Sequence, residues 1–353
     1  MIVLWLFYTI SVLLTNWSNK RNIKILFVFI VASISAISFF YVPSESADLS
    51  RHFETIVLYG DMGLEWVIQN RCDINPLTSL LFYAFSFIGD LRWFISFSAF
   101  VTYGFTFLLI YKVSRYYQLK SSTVALLTMF VVYNWNYLIV VSNCRIFMLY
   151  AIIAYLFYEE FIEDRRHKTA LIIYLASILF HYGILLVLIP RFFLYLYKPK
   201  NKSIYLWMVV VGALLLYFGV SNYQAILFES ISEKVEGYKQ YKVFGTWQFL
   251  NSLVCILLCC YYSFKNRRLV LEINEYNIAY WLIVLLIFLQ ISNFQVIYRE
   301  SNLVASLAIV FFAISLKKEQ SNSMKHVIAI QSVLSLVYSF VYVYPYMNFN
   351  FVF

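Results

Sequence analysis

The chain has 353 residues, of which 62% are hydrophobic and only 13% are charged, whereas soluble domains average about half apolar and a quarter charged residues. This composition excludes a soluble globule. Because apolar runs recur along the whole chain, it predicts an all-α, polytopic integral membrane protein with one domain over residues 1–353. The net charge of +9 indicates no nucleic-acid partner, because the basic residues lie between apolar runs.

Small groups of basic residues predict the orientation of the chain. Eighteen of the 27 Lys and Arg residues fall into six groups of three: Lys20, Arg21 and Lys24; Lys112, Arg115 and Lys120; Arg165, Arg166 and Lys168; Lys198, Lys200 and Lys202; Lys265, Arg267 and Arg268; Lys317, Lys318 and Lys325. If all six groups are cytoplasmic, an even number of membrane crossings must separate successive groups.

In chain order, the apolar runs then predict about twelve crossings with both termini outside. The runs are residues 2–15, 25–42, 93–111, 123–141 and 146–161, a short hairpin over 169–197, and residues 204–220, 247–264, 277–291, 303–316 and 327–344. Residues 43–92 and 222–245 are expected to form outer loops. Within the first loop, residues 77–88 are too short to span a bilayer, so an interfacial or re-entrant helix introduced by Asn75-Pro76 is predicted.

Nine basic residues lie outside the six groups and are expected on the outer side: Arg51, Arg71, Arg92, Arg145, Arg191, Lys234, Lys239, Lys242 and Arg299. An Arg that faces lipid costs about 2.5 kcal/mol or more, so such residues usually have a partner or a ligand. Arg145 should open a helix, Arg299 lies between two apolar runs, and His181 falls at the outer turn of the hairpin. Headgroup contacts and structural ion pairs are the alternative roles.

The first outer loop adds complementary groups in the segment Asp48-Leu49-Ser50-Arg51-His52-Phe53. An acid, a guanidinium, an imidazole and an aromatic ring within about two helical turns can bind a sugar phosphate or move a proton. A solvated acidic loop is the alternative. Asn136, in Tyr133-Asn134-Trp135-Asn136-Tyr137, either joins helices or binds a carbohydrate. No Cys/His spacing or Asp-x-Asp indicates a metal, and no cofactor is predicted.

The order of these motifs resembles the EpsG/Wzy family of polysaccharide polymerases. The likeness rests on Asp48-x-x-Arg51-His52-Phe53, Asn75-Pro76-Leu77, Arg145 at a helix start, Phe180-His181-Tyr182 in a hairpin and Tyr298-Arg299 before a late helix. It implies a glycosyltransferase that joins undecaprenyl-pyrophosphate-linked oligosaccharide repeat units. It also implies a site on the outer face of the bacterial inner membrane, no metal or nucleotide sugar, and a chain-length regulator and a flippase as partners.

The residues suit that chemistry. Arg pairs bidentately with phosphate oxygens and stays charged, so Arg145 and Arg299 are expected to hold the donor pyrophosphate. His181 or Asp48 would act as the base or orient the acceptor. Arg51, His52, Arg71, Asn136 and Tyr298 are expected to bind the substrate.

Two other readings use the same residue types. A glycan ligase or a membrane acyltransferase also employs outward Arg and His. A transporter or flippase of lipid-linked oligosaccharide would favour inverted repeats and Gly/Pro-interrupted helices, and neither pattern is visible in the sequence.

Overall fold

A computed structural model describes the following parts of the chain: residues 2–19, 21–43, 48–72, 75–135, 137–165, 168–181, 184, 188–191, 194, 250, 253–261, 274–289, 294–318, 322–339, 341, 350 and 351. These parts are helical apart from short connections and one two-residue strand pair. The prediction of an all-α fold is therefore confirmed for them.

The helices follow the predicted apolar runs closely in the first half of the chain. They are α1 (Ile2–Trp17), α2 (Ile23–Phe39), α3 (Asp48–Arg71), α4 (Pro76–Ser86), α5 (Arg92–Tyr116), α6 (Ser121–Asn134), α7 (Tyr137–Ser142), α8 (Cys144–Phe161) and α9 (Lys168–Phe180). Later come α10 (Asn274–Leu289), α11 (Phe294–Lys318) and α12 (Asn322–Tyr338), and residues 253–261 are also helical. Strand β1 (Tyr41–Val42) pairs antiparallel with β2 (Asn350–Phe351).

Helix α3 corrects the expectation of a loop over residues 43–92. It is 24 residues long and is broken at Gly63, where φ is 82° and ψ is 166°. Its sequence is polar on average, but Leu49, Ile56 and Val67 are fully buried, so one side packs on the rest of the protein. The predicted short helix over residues 77–88 is α4, with Pro76 at its first position, where a missing N–H costs nothing.

Short contacts set the relative directions of the helices. Ser35 Oγ lies 2.9 Å from Ser96 Oγ, and the rings of Phe27 and Phe107 lie 4.9 Å apart, so α2 and α5 are antiparallel. Helix α8 is parallel to α5. Their starts both lie beside Phe82 of α4, which contacts Arg145 of α8 and Phe94 of α5. Their ends share an ion pair, in which Lys112 Nζ is 3.1 Å from Glu159 Oε1.

One end of the helix bundle collects the predicted cytoplasmic groups, and we call it the basic end. There Ser121 Oγ donates to the Ser18 carbonyl at 2.7 Å, which joins the loops that carry the first two basic groups. Lys317 Nζ lies 5.8 Å from the ring of Tyr117, which adds the last group. Glu163 pairs with Lys112 of the second group at 3.5 Å and with Arg165 at 3.1 Å, which adds the third group. The groups at residues 198–202 and 265–268 lie outside the described residues.

The opposite end, which we call the cavity end, collects segments that are predicted to be outside. It contains α3, α4 and the β1–β2 pair. The Phe82 ring of α4 packs 5.4 Å from the Phe94 ring at the start of α5, and Thr78 Oγ1 donates to the Phe180 carbonyl at the end of α9 at 2.5 Å. Tyr41 packs on Tyr137, with the ring centroids 6.0 Å apart. The second predicted outer loop, residues 222–245, lies outside the described residues.

Arg191 does not lie at the cavity end, in contrast to the expectation that groups it with Arg71 and Arg145. Its guanidinium pairs with buried Glu160 at 2.8 Å, near the end of α8, and its Cζ lies 5.2 Å from the Tyr174 ring. Tyr174 also donates to Glu160 at 3.1 Å. The physical reason is that Arg191 comes late in the returning arm of the hairpin, where the chain approaches the basic end again.

Candidate active site at the cavity end

A cavity of about 450 Å³ lies between α3, α4 and the start of α8. Its lining consists of two guanidiniums, one imidazole, two aromatic rings, and amides and hydroxyls. The residues are His52, Thr55, Tyr59, Asn70, Arg71, Asn75, Thr78, Ser79, Phe82 and Arg145. This volume lies within the range of small-molecule sites.

Helix α3 supplies two parts of the wall. His52, Thr55 and Tyr59 are spaced by three and four residues and therefore share one face of the helix. Asn70 and Arg71 come from the last turn, beyond the break at Gly63. Because the helix is broken between these two parts, the orientation of Asn70 and Arg71 does not follow from that of His52, Thr55 and Tyr59.

Helix α4 is held against the end of α3 by its first turn. Ser79 Oγ donates to the Arg71 carbonyl at 2.7 Å, and Thr78 and Ser79 both line the cavity. The cavity therefore adjoins a helix N-terminus, where the unsatisfied N–H groups favour an anion. Helices α3 and α4 pack closely at the other end of α4, because a Cβ added at Gly60 of α3 would lie only 2.9 Å from Ser86 Cβ of α4.

Arg145 reaches the cavity as the second residue of α8, as the sequence predicts. Its Cζ lies 5.9 Å from the centroid of the Phe82 ring, and the ring of His52 lies 5.2 Å from the same ring. Arg145 and His52 therefore share Phe82 as a common support. Arg71 lines the cavity from the last turn of α3, and its Cζ lies 5.6 Å from the centroid of the Trp66 ring.

The lining is electropositive. Among the described residues that line the cavity there are two guanidiniums and no carboxylate. Burial, together with the charges of Arg145 and Arg51, lowers the pKa of His52 to about 3, so this imidazole is neutral at physiological pH. Two fixed positive charges beside a neutral imidazole suit an anionic ligand whose transformation releases a proton.

The structure brings three of the predicted residues, Arg145, His52 and Arg71, to this cavity. It separates Asp48 and Arg51 from them. These two side chains pair with each other one turn apart at the start of α3, and neither is among the described lining residues. The predicted compact set of acid, guanidinium and imidazole is therefore divided into an ion pair and a lining residue.

The other predicted residues have different outcomes. His181 follows the last residue of α9, half-buried, next to the Phe180 carbonyl that accepts from Thr78, and it is not among the described lining residues. Tyr298 and Arg299 lie near the start of α11, but their side chains are outside the described part of the chain. Asn136 is outside the described residues altogether.

Sequence reasoning missed most of the uncharged lining. Tyr59 and Thr55 could have been found from the spacing with His52, had residues 48–71 been interpreted as a helix. The sequence indicates Asn75 only as the residue that precedes the short helix, and no sequence pattern indicates Thr78 or Ser79 as lining residues. Among the described residues, no cluster of three His, Cys, Asp or Glu side chains could hold a metal.

Comparisons with known proteins bring no further assignment. The chain matches no protein-family model, no curated protein and no solved structure. The resemblance to polysaccharide polymerases thus depends on the motifs quoted above and stays a prediction.

Proposed function

We propose that the protein is a membrane-embedded glycosyltransferase that joins polyprenyl-diphosphate-linked oligosaccharide repeat units into a surface polysaccharide. The observation that carries the proposal is the cavity with Arg71, Arg145 and His52 in its lining. The guanidiniums match the oxygens of a diphosphate bidentately. Tyr59 and Phe82 place aromatic rings in the lining, and Asn70 and Asn75 add amides of the kind that hydrogen-bond sugar hydroxyls.

A membrane location is part of the proposal, and the distribution of side chains supports it. Large apolar residues of α2, such as Ile25 and Phe29, are 72% and 60% exposed, while polar Thr102 and Thr128 are fully buried. Small hydroxyl residues between helices and apolar residues on the outside are typical of helices in lipid. Among the described residues, one helix, α5 with 25 residues, is long and apolar enough by itself to cross a bilayer.

The proposed topology has about twelve crossings, with the basic end in the cytoplasm and the cavity end outside. It is supported by the convergence of four basic groups at one end and of α3, α4 and the strand pair at the other. Helix α3 fits an interfacial position, because Val57 and Ile68 on its surface are about half exposed and its other exposed residues include Arg51, Glu54 and Asp61.

Cysteine labelling tests this orientation. We expect an Asp61→Cys variant to react with a membrane-impermeant maleimide added to intact cells, because Asp61 is exposed on α3 at the cavity end. The matched variant Lys120→Cys, exposed at the basic end, should react only after the membrane is opened. The parent protein gives the background from its five native cysteines. Labelling with the reverse sidedness would contradict the topology.

Deletion of the gene in its native host tests the reaction. We expect the surface glycan to shrink to single repeat units on the lipid carrier or the cell surface, because polymer growth stops while assembly and export of the units continue. Sizing the lipid-linked and surface glycans by electrophoresis measures this. Long chains that accumulate on the carrier would instead indicate a ligase, and units that stay on the cytoplasmic face would indicate a flippase.

A further inference from the structure

We propose that His52 is the proton acceptor of the transfer reaction, and that the diphosphate bound between Arg71 and Arg145 is what enables His52 to accept the proton. This inference rests on the proposed function and deepens it. The sequence predicts His52 only as a substrate-binding residue and His181 or Asp48 as the base. The positions of the three residues in the structure favour His52 as the base instead.

Only His52 of the three lines the cavity within the described chain. Asp48 is held in its ion pair with Arg51, and a carboxylate engaged by a guanidinium is a poorer base than a free one. His181 follows Phe180, whose carbonyl accepts from Thr78, and it is not among the described lining residues. Of the three, His52 is therefore the one whose side chain lines the cavity that would hold an acceptor hydroxyl.

The groups around His52 determine when it can take a proton. Arg145 faces it from α8, and Arg51, Arg71 and Tyr59 belong to its own helix. The neighbouring wall of α4 contributes Thr78, Ser79 and Phe82, none of which carries a charge. Burial and the positive charges of Arg145 and Arg51 thus oppose a third positive charge on His52, and the imidazole stays neutral.

A bound diphosphate changes this balance. It brings two or more negative charges next to Arg71 and Arg145, and opposite charges within about 4–6 Å favour the charged form of a histidine. The pKa of His52 must then rise above the value that it has without an anion beside it. The base becomes effective only when the donor is in place, because a neutral imidazole with a lowered pKa is a weak proton acceptor until the diphosphate raises that pKa.

The reaction step balances with these groups. The acceptor hydroxyl oxygen forms a bond to the anomeric carbon of the donor while the bond from that carbon to the diphosphate oxygen breaks. The electron pair of the broken bond leaves with the polyprenyl diphosphate, whose charge Arg71 and Arg145 neutralise. The hydroxyl proton moves to a ring nitrogen of His52 and then to water, which restores the neutral imidazole.

Proton uptake on ligand binding tests the proposal directly. Purified full-length protein in detergent is titrated with farnesyl diphosphate at pH 5.5 by calorimetry, in buffers that differ in ionisation enthalpy. Because binding raises the pKa of His52, the complex holds more protons than its separate components, and affinity increases as the pH falls from 7 towards 5.5. We expect wild type to take up about half a proton or more beyond His52→Gln, the same probe being used for both.

His52→Asn serves as a second variant, and thermal unfolding identifies any variant that fails to fold. Equal proton uptake by wild type and by both folded variants would overturn the proposal. In the deletion host, we expect His52→Gln to form polymer about 10²- to 10⁴-fold more slowly, the usual contribution of a general base. If the deletion abolishes polymer while His52→Gln restores it fully, the proposed function stands and the role of His52 is wrong. If the deletion leaves polymer unchanged, the proposed function itself fails.

Discussion

An Arg145→Ala variant is expected to form polymer about 10²- to 10³-fold more slowly than wild type, which is the usual cost of removing one preorganised donor to a developing negative charge. Arg145 is the guanidinium that reaches the cavity from α8 and shares the Phe82 ring with His52. The measurement is the rate of chain growth on lipid-linked repeat units in membranes of the deletion host, at matched protein levels.

Two variants make this result specific. Arg145→Lys keeps the charge but loses the planar donor fork, so we expect an intermediate rate. Arg115→Ala removes the same charge from an exposed position near the end of α5 at the basic end, and we expect the wild-type rate. A normal rate for Arg145→Ala in a correctly inserted protein would refute the assignment of the cavity as the donor site.

A Gly60→Ala variant is expected to lose both stability and activity, because a methyl group at this position would lie 2.9 Å from Ser86 Cβ and 3.1 Å from Ser86 Oγ. Ser86 cannot move aside easily, since its hydroxyl donates to the Tyr83 carbonyl at 2.7 Å. Helices α3 and α4, the two main walls of the cavity, must then separate. Overpacking of this kind costs about 1–3 kcal/mol, which thermal unfolding in detergent measures.

The matched control is Gly104→Ala on α5, whose added methyl would meet only Val31 Cγ1 at an ordinary 3.9 Å. We expect it to behave as wild type. A Ser86→Gly substitution combined with Gly60→Ala removes the clashing atoms and should restore most of the lost stability, and the double-mutant cycle gives the coupling between the two positions. Equal melting temperatures for Gly60→Ala and Gly104→Ala would show that the two helices tolerate separation.

Hydropathy predicts the apolar helices of this protein well, but it does not predict the amphipathic helix α3. Helices such as α5 and α8 lie where long apolar runs predict them, because in such runs burial and hydrogen bonding both favour a helix. The sequence predicts a loop where α3 forms, since the hydropathy of its polar and apolar residues averages out. The buried residues before Gly63, which are Leu49, Ile56 and Tyr59, nevertheless recur near the helical period, and that periodicity is the signal for a helix.

The candidate site was only partly predictable for a related reason. Arg145 could be selected because a charged residue at the start of an apolar helix is costly without a partner or ligand. Choosing between Arg51 and Arg71 required the three-dimensional path of α3. The break at Gly63 interrupts the regular rotation of about 100° per residue, so the sequence does not tell which face Arg71 shares with His52.

Ion pairs were the hardest feature to predict. The sequence predicts Asp48 as a base or acceptor-orienting group and Arg51 as a substrate-binding residue, but three residues apart on a helix they pair with each other. No sequence pattern indicates Glu160, although it is the buried partner of Arg191. Sequence separation hides such a pair, because the partners come from different helices.

The antiparallel pairing of Tyr41 with Phe351 and of Val42 with Asn350 has a consequence for biosynthesis. During translation, β1 is made soon after α2, but most of the chain must still be synthesised before its partner strand exists. The edge of β1 therefore stays unpaired while the intervening helices are made. Because contacts between such distant segments form late in folding, we expect this strand pair to form after those helices have packed.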